Sequence, residues 1–237
     1  MDVVPRAWRI SAVLAVAVAG GLSRLQMGDR PDPTAGTRRR ERGRLGTVSG
    51  TYRYEVEILH LLVSPQHAYF GRARDGAAVV PTTDADDVQL VAGKGVVGDR
   101  FFGRAAHMDA AVTLLAVEGL EAMAAELGTD AFDPLLARRN VVLRGAELPP
   151  LLGEEIVLES RGDAVRLRVG RPANPCAWMD RVLAPGAHAA MRGRGGVRCR
   201  VLSDGQLHRG PAVLHSPVPL DPGRAGVAVW RRPSRLP

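Results

Sequence analysis

Between residues 51 and 215 the chain is a succession of short apolar runs broken by glycine and proline. Runs of this kind, rich in valine, leucine and isoleucine and only four to nine residues long, predict strands at 55–63, 88–91, 112–115, 140–143, 155–158, 165–169 and 197–202. Period-two alternation is clearest around Cys199, where Val197, Cys199 and Val201 share one face and Arg198 and Arg200 the other. The pattern changes to a helical one only over 117–127. There Leu120, Met123, Ala124 and Leu127 fall at i, i+3, i+4 and i+7, and Gly128 stands at the C-cap. Shorter helices are expected from Asp133-Pro134, an N-cap followed by proline in the first turn, and over 177–183. Turn composition marks 148–153 and Ser203-Asp204-Gly205. Many short strands with few helices predict a mainly β (α+β) domain, a closed or nearly closed barrel with helices packed outside.

Composition sharpens the boundaries of that domain. Hydrophobic residues make up 46% of the 237, enough for a sizeable core. The formal charge of +7 suggests nucleic acid or an anionic surface until its distribution is read. Residues 1–50 carry nine arginines against four acids, and 216–237 carry four against one. The middle holds 18 arginines and one lysine against 20 acids, so it is nearly neutral. The domain organisation expected is therefore an N-terminal extension (1–50), a barrel (51–215) and a disordered basic tail (216–237).

The extension opens with a thirteen-residue apolar run at 10–22, preceded by Arg6 and Arg9. A bilayer-spanning helix takes about 20 such residues, so stable membrane insertion is not expected. Ala17-Val18-Ala19 looks like a cleavage site, which leaves export through a signal at 1–19 as one reading. A weak membrane-associating segment is another, and translation upstream of the true start a third. The glycine-, proline- and arginine-rich stretch at 28–50 favours the last, with a cytoplasmic protein.

Two cysteines are too few for a disulfide-stapled fold, or for a four-cysteine zinc or iron–sulfur site within the chain. No GxxxxGK[ST] loop, HExxH, GxSxG or CxxC motif is present. The Gly93-Lys94-Gly95-Val-Val-Gly98-Asp99-Arg100 stretch reads as a compact turn presenting Lys94, Asp99 and Arg100, or simply as a glycine-rich connection. Arg138-Arg139-Asn140 enters a strand, at a barrel mouth or a solvated loop end. Cys176 follows Asn174-Pro175 on what composition makes a rigid turn, whereas Cys199 reads as a buried core residue.

The order of these motifs carries a resemblance. Gly98-Asp99-Arg100, then Arg139-Asn140 leading to Gly145 and Leu151-Leu152-Gly153, then Pro175-Cys176, then Gly193-Arg194-Gly195-Gly196 running to Asp204-Gly205, resembles the MOSC domain of molybdenum-cofactor sulfurases and stand-alone bacterial proteins. It covers about 56–214, and Gly210-Pro211 stands where the family commonly has Gly-Asp. The resemblance implies a MOSC-like β-barrel and a molybdenum cofactor, with Cys176 as the metal ligand and catalytic residue. Thiolates suit thiophilic metals, and cationic neighbours favour that form. The cofactor's pterin bears a phosphate, for which Lys94, Arg100, Arg139 and Arg194 are the cationic candidates. Asp99, Asn140 and Asn174 are candidate hydrogen-bond partners, and His107 lies just beyond the glycine turn. The implied reaction is molybdenum-dependent reduction of an N–O bond in an N-hydroxylated substrate. Electrons would come from a separate flavin or iron–sulfur donor, and no pyridoxal phosphate is expected. Two other readings stay open: a sulfur- or cofactor-carrying module without turnover, and an Arg-rich-tail binder of nucleic acid or membrane surface. No specific nucleic-acid partner is expected of the barrel itself.

Overall fold

The computed structural model describes residues 52–229. The signal-like segment and basic extension at 1–50 lie outside the described residues. Among the described residues eleven strands form: β1 (Tyr52–Val63), β2 (Thr83–Asp84), β3 (Asp87–Val91), β4 (Gly95–Val96), β5 (Val112–Ala116), β6 (Val141–Arg144), β7 (Glu155–Ser160), β8 (Asp163–Pro172), β9 (Val197–Val201), β10 (Gly205–His208) and β11 (Gly210–Ser216). Seven of them close a barrel in the order β11-β7-β8-β9-β5-β6-β1, sealed by pairing of β1 with β11. Only β5 and β6 pair in parallel within it. β10, β3 and β4 make a separate three-stranded sheet. Closure removes the free edges that would otherwise pair with other chains.

Alternation fills the interior. Val56 and Ile58 of β1, Ile156 and Leu158 of β7, Val165, Leu167 and Val169 of β8, and Val197, Cys199 and Val201 of β9 join one core. Each fully buried aliphatic side chain contributes about 2 kcal/mol relative to exposure. Cys199 has no exposed surface, as its alternation predicts, and burial pushes its thiol pKa well up.

β5 and β6 are covered on both faces. Leu114 and Val141 point into the barrel, while Leu115 and Val142 face a second cluster beneath three helices, α1 (Val117–Leu127), α2 (Met179–Val182) and α3 (Ala187–Ala190). α1 has the predicted bounds, and Gly128 caps it in the left-handed region at φ 62°. A 3-10 turn at Pro134–Ala137 is capped by Asp133, whose carboxylate accepts from the Leu135 N–H. The helix expected over 177–183 shortens to α2. β11 lies outside the predicted runs, because its inward positions include Ala212 and Ser216, which give little apolar signal.

The expectation of a disordered tail from 216 needs correction as far as residue 229. Leu220 and Ala225 are buried in the barrel core. The Leu220 N–H donates to Tyr54 Oη at 2.6 Å, and Arg224 Nε donates to Glu147 Oε1 at 3.0 Å. Val229 N–H reaches the Gly193 carbonyl at 3.2 Å. Proline and arginine dominate the composition there, but a few small apolar side chains and one ion pair suffice to dock the strap. Residues 230–237 lie outside the described residues.

Candidate functional site

The rim where β1 ends and β6 begins carries a cluster of arginines, with the exposed Cys176 within electrostatic range of Arg139. Its frame is a buried polar pair. Asp99 accepts hydrogen bonds from Asn140 Nδ2 (3.2 Å), Arg100 Nη1 (3.2 Å), the Phe101 N–H (3.1 Å) and the Ser64 N–H (3.4 Å). Asn140 accepts through Oδ1 from Thr113 Oγ1 at 2.9 Å and donates to the Leu62 carbonyl at 3.3 Å. Buried polar groups must be satisfied, and these two satisfy each other while tying β1, β5 and β6 to the glycine-rich segment. Their partners are internal, so their part in the site is to position the arginines.

Arg138 sits in the left-handed region at φ 53°. Its guanidinium donates to Ser64 Oγ (2.8 Å), the Gln66 carbonyl (3.0 Å) and Thr82 Oγ1 (3.3 Å), and lies 5.8 Å from the centre of the Tyr69 ring. Arg139 donates to the carbonyls of Gly195 (2.9 Å), Ala137 (2.8 Å) and Ala173 (3.0 Å). Those bonds fasten the segment before β6 to the two that flank it. Burial, reinforced by the Arg198 charge, pushes the Arg139 pKa down to about 10. Burial likewise lowers Arg100, Arg138 and Arg198 from the ordinary arginine value.

Cys176 is exposed, and its carbonyl accepts from the Met179 N–H, which fixes the turn into α2. Arg139, Arg198 and Tyr69 lie within electrostatic range of its thiol. Tyr69 stacks on Trp178 with ring centres 5.3 Å apart and donates from Oη to the Leu136 carbonyl at 2.8 Å. Burial raises its pKa. His67, beside Phe70 and Phe101, has its pKa lowered by burial and then by Arg100 and Arg138.

The charge balance of this rim is the informative feature. Among the described residues, Asp99 is the single carboxylate paired within it, to Arg100 at 3.2 Å, and no ion pair neutralises Arg138, Arg139 or Arg198. Arg100 Nε is buried with no hydrogen-bond partner. Buried cations without counter-charge are costly, and an anion at the rim relieves that cost.

Of the residues singled out in the sequence, Cys176, Asp99, Arg100, Arg139 and Asn140 converge here. Lys94 and Arg194 do not, and Asn174, two residues before Cys176, lines a neighbouring cavity. Lys94 is exposed in the turn between β3 and β4, and no side-chain hydrogen bond or ion pair joins it to the cluster. Arg194 is occupied as a clamp, donating to Glu126 Oε2 (2.6 Å), the Ala190 carbonyl (2.8 Å) and the Gly226 carbonyl (3.1 Å). With Asn174 it lines a mainly apolar cavity of about 350 Å³ under the C-terminal strap. The glycines beside Arg194 serve close packing: a Cβ on Gly196 would stand 2.0 Å from the Leu114 carbonyl oxygen. His107 is exposed and packs on Phe101 with ring centres 4.5 Å apart. Sequence reasoning did not assign His67, Tyr69, Arg138 or Arg198 to the site. The polar face of β9 marks Arg198, but nothing local distinguishes Arg138 from Arg139, and the loop after β1 carries no motif.

Among the described residues no group of histidine, cysteine and carboxylate side chains is arranged to hold a metal by itself. A single exposed thiol near guanidiniums that no described carboxylate neutralises suits a metal that arrives with its own anionic organic ligand. Among the described residues no helix is long and apolar enough to cross a membrane.

A family model described as "MOSC domain" matches residues 95–214, just over half of the chain. No curated protein matches. Among solved structures, the YUAD protein from Bacillus subtilis is 19% identical, with a TM-score of 0.54 over 70% of this chain and 98% of that one. YiiM from Geobacillus stearothermophilus is also 19% identical, with a TM-score of 0.44 over 67% and 74%. At these identities the likeness to YUAD bears on the fold alone.

Proposed function

Since the chain belongs to the MOSC domain family, a family associated with molybdenum-cofactor binding or sulfur transfer, we propose that it holds a molybdenum cofactor at the arginine-rich rim and reduces N-hydroxylated substrates there. The observation that carries this reading is the rim's excess of cations among the described residues, Arg100, Arg138 and Arg139 against the single carboxylate Asp99, with Arg100 Nε buried and unpartnered and Arg139 within electrostatic range of an exposed thiol. The residues fit the group. Cys176 is the soft donor for the metal, and Arg100, Arg138 and Arg139 are the cations for the phosphate and pterin. When bound, the cofactor supplies the two-electron chemistry that reduces an N–O bond.

The chain's own part is placement. Asp99 and Asn140 hold Arg100 and the segment before β6, so the guanidiniums are fixed before ligand arrives. The turn at Pro175 presents the Cys176 thiol outward. Tyr69 stacks on the buried Trp178 ring, which fixes its place near the thiol. Overall, an N-hydroxylated substrate, two electrons and two protons give the reduced nitrogen and water. The electrons come from a separate flavin or iron–sulfur donor. Full-length protein from a cofactor-producing host, given reduced methyl viologen and benzamidoxime, is expected to turn over. Cys176→Ser is expected to lose about 100-fold or more, the scale on which metal-site ligand defects act. Equal turnover by the variant contradicts the assignment.

The exposure of Cys176 also favours a second reading, a module that carries sulfur or cofactor on this thiol without turnover. A persulfide on Cys176 with no N–O reduction would select it. An Arg-rich-tail binder of nucleic acid or membrane rests on 1–50 and the far C-terminus, which lie outside the described residues.

A further inference from the structure

We infer that Arg171 and Arg198 form a second anion subsite on the outer side of Cys176, which holds the carboxylate or phosphate of a negatively charged substrate. This rests on the proposed N–O reduction only for the substrate's identity; the subsite itself stands on the strand register. Along β8, Val165, Leu167 and Val169 point into the core, and simple alternation would send Arg171 after them. It does not follow them. The register shifts between Val169 and Arg171, and the extra residue, Gly170, brings Arg171 opposite Arg198. Arg198 lies on the outer face of β9, between the inward Val197 and Cys199. Bulges at barrel rims re-aim side chains in this way.

Like charges directly opposite on neighbouring strands are destabilising. The next pair along the same strands, Arg168 opposite Arg200, is relieved by carboxylates: Arg168 bonds Glu155, and Arg200 lies 3.3 Å from Asp109. Among the described residues no ion pair relieves Arg171 or Arg198. Arg198 also feels both Arg171 and the Cys176 thiol, and the chain runs from Arg171 to Cys176 in five residues. Arg198 thus stands opposite Arg171 across the strands and within electrostatic range of both the Cys176 thiol and Arg139. Two guanidiniums side by side match the paired oxygens of a carboxylate or phosphate.

Alkylation of Cys176 in the full-length, cofactor-free protein tests the subsite without molybdenum. Cys199 is sealed in the core, so native reactivity reports Cys176. At low ionic strength the rate ratio of iodoacetate to iodoacetamide should exceed that of free cysteine by about tenfold, and should fall with added salt. Arg171→Ala and Arg198→Ala should each lower that ratio several-fold, the ratio cancelling any slowing of both reagents that comes from a scarcer thiolate. An unchanged ratio in both variants overturns the inference. Arg171→Ala should also retain the molybdenum content of the parent, because the cofactor's own phosphate is assigned to the other arginines. Loss of metal would reassign the pair to the cofactor and equally overturn it. In loaded protein, KM for 4-carboxybenzamidoxime should rise in either variant while KM for benzamidoxime stays put. A parent that binds no metal but keeps the alkylation preference would sink the molybdenum reading and spare the subsite.

Discussion

The chain's two thiols sit in opposite environments, 23 residues apart in sequence. Cys199 points into the barrel among Val112, Val169 and Val201, where burial drives its thiol towards the neutral form. Cys176 stands exposed on a turn, within electrostatic range of the Arg139 and Arg198 guanidiniums. The same atom is thus packing material in one place and a candidate ligand in the other. The comparison teaches that surroundings, set by strand alternation and by a proline turn, decide the chemistry.

Placing one substitution at both positions breaks the comparison most sharply. Cys199→Asp buries an unpaired carboxylate and should cost about 4 kcal/mol or more, giving insoluble protein or a fall in Tm of roughly 10 °C. Cys176→Asp, exposed among arginines, should leave Tm unchanged or raised. Similar losses at both sites would mean that the Cys176 turn is packed as tightly as the core.

A thiol count gives a sharper, smaller-scale check. Native protein should react with one equivalent of a disulfide reagent within minutes, and unfolded protein with two. Cys176→Ser should show no fast phase. A fast phase surviving in that variant would place Cys199 at the surface.

The smallest expected effect is electrostatic. His67 has its folded pKa below the ordinary value of 6.5, because burial and then Arg100 and Arg138 oppose its protonation. Its neutral form therefore adds stability that is complete above about pH 6.5 and lost as pH falls through the lower folded pKa. Between pH 7 and 5, Tm should fall more steeply in the parent than in His67→Gln. Parallel curves would remove His67 from the cationic cluster.

How much of this was legible beforehand follows from where each signal resides. The strands at 55–63, 112–115 and 155–158 were readable because inward valine, leucine and isoleucine alternate or run together. β11 was not, with alanine and serine at inward positions. Gly128 and Asp133 announced helix ends through local chemistry. Within the site, Cys176 stood out by its proline turn, and Asp99 and Asn140 by motif order. Their use as an internal frame depends on contacts across 41 residues of sequence, which no local pattern records. Lys94 and Arg194 carried suitable chemistry, but the fold sends their side chains elsewhere. Arg198 and Tyr69 became visible only once the barrel brought them to Cys176. The strap from Leu220 to Val229 was hidden because few apolar residues hold it.

The central claim is that Cys176 is the ligand of a bound molybdenum centre. Its most direct test is molybdenum per chain by elemental analysis, on full-length protein from a cofactor-producing host, beside Cys176→Ala and Cys199→Ala. The account predicts near-stoichiometric metal in the parent and in folded Cys199→Ala, and little in Cys176→Ala. Equal metal in all three, or none in a folded parent, would contradict it.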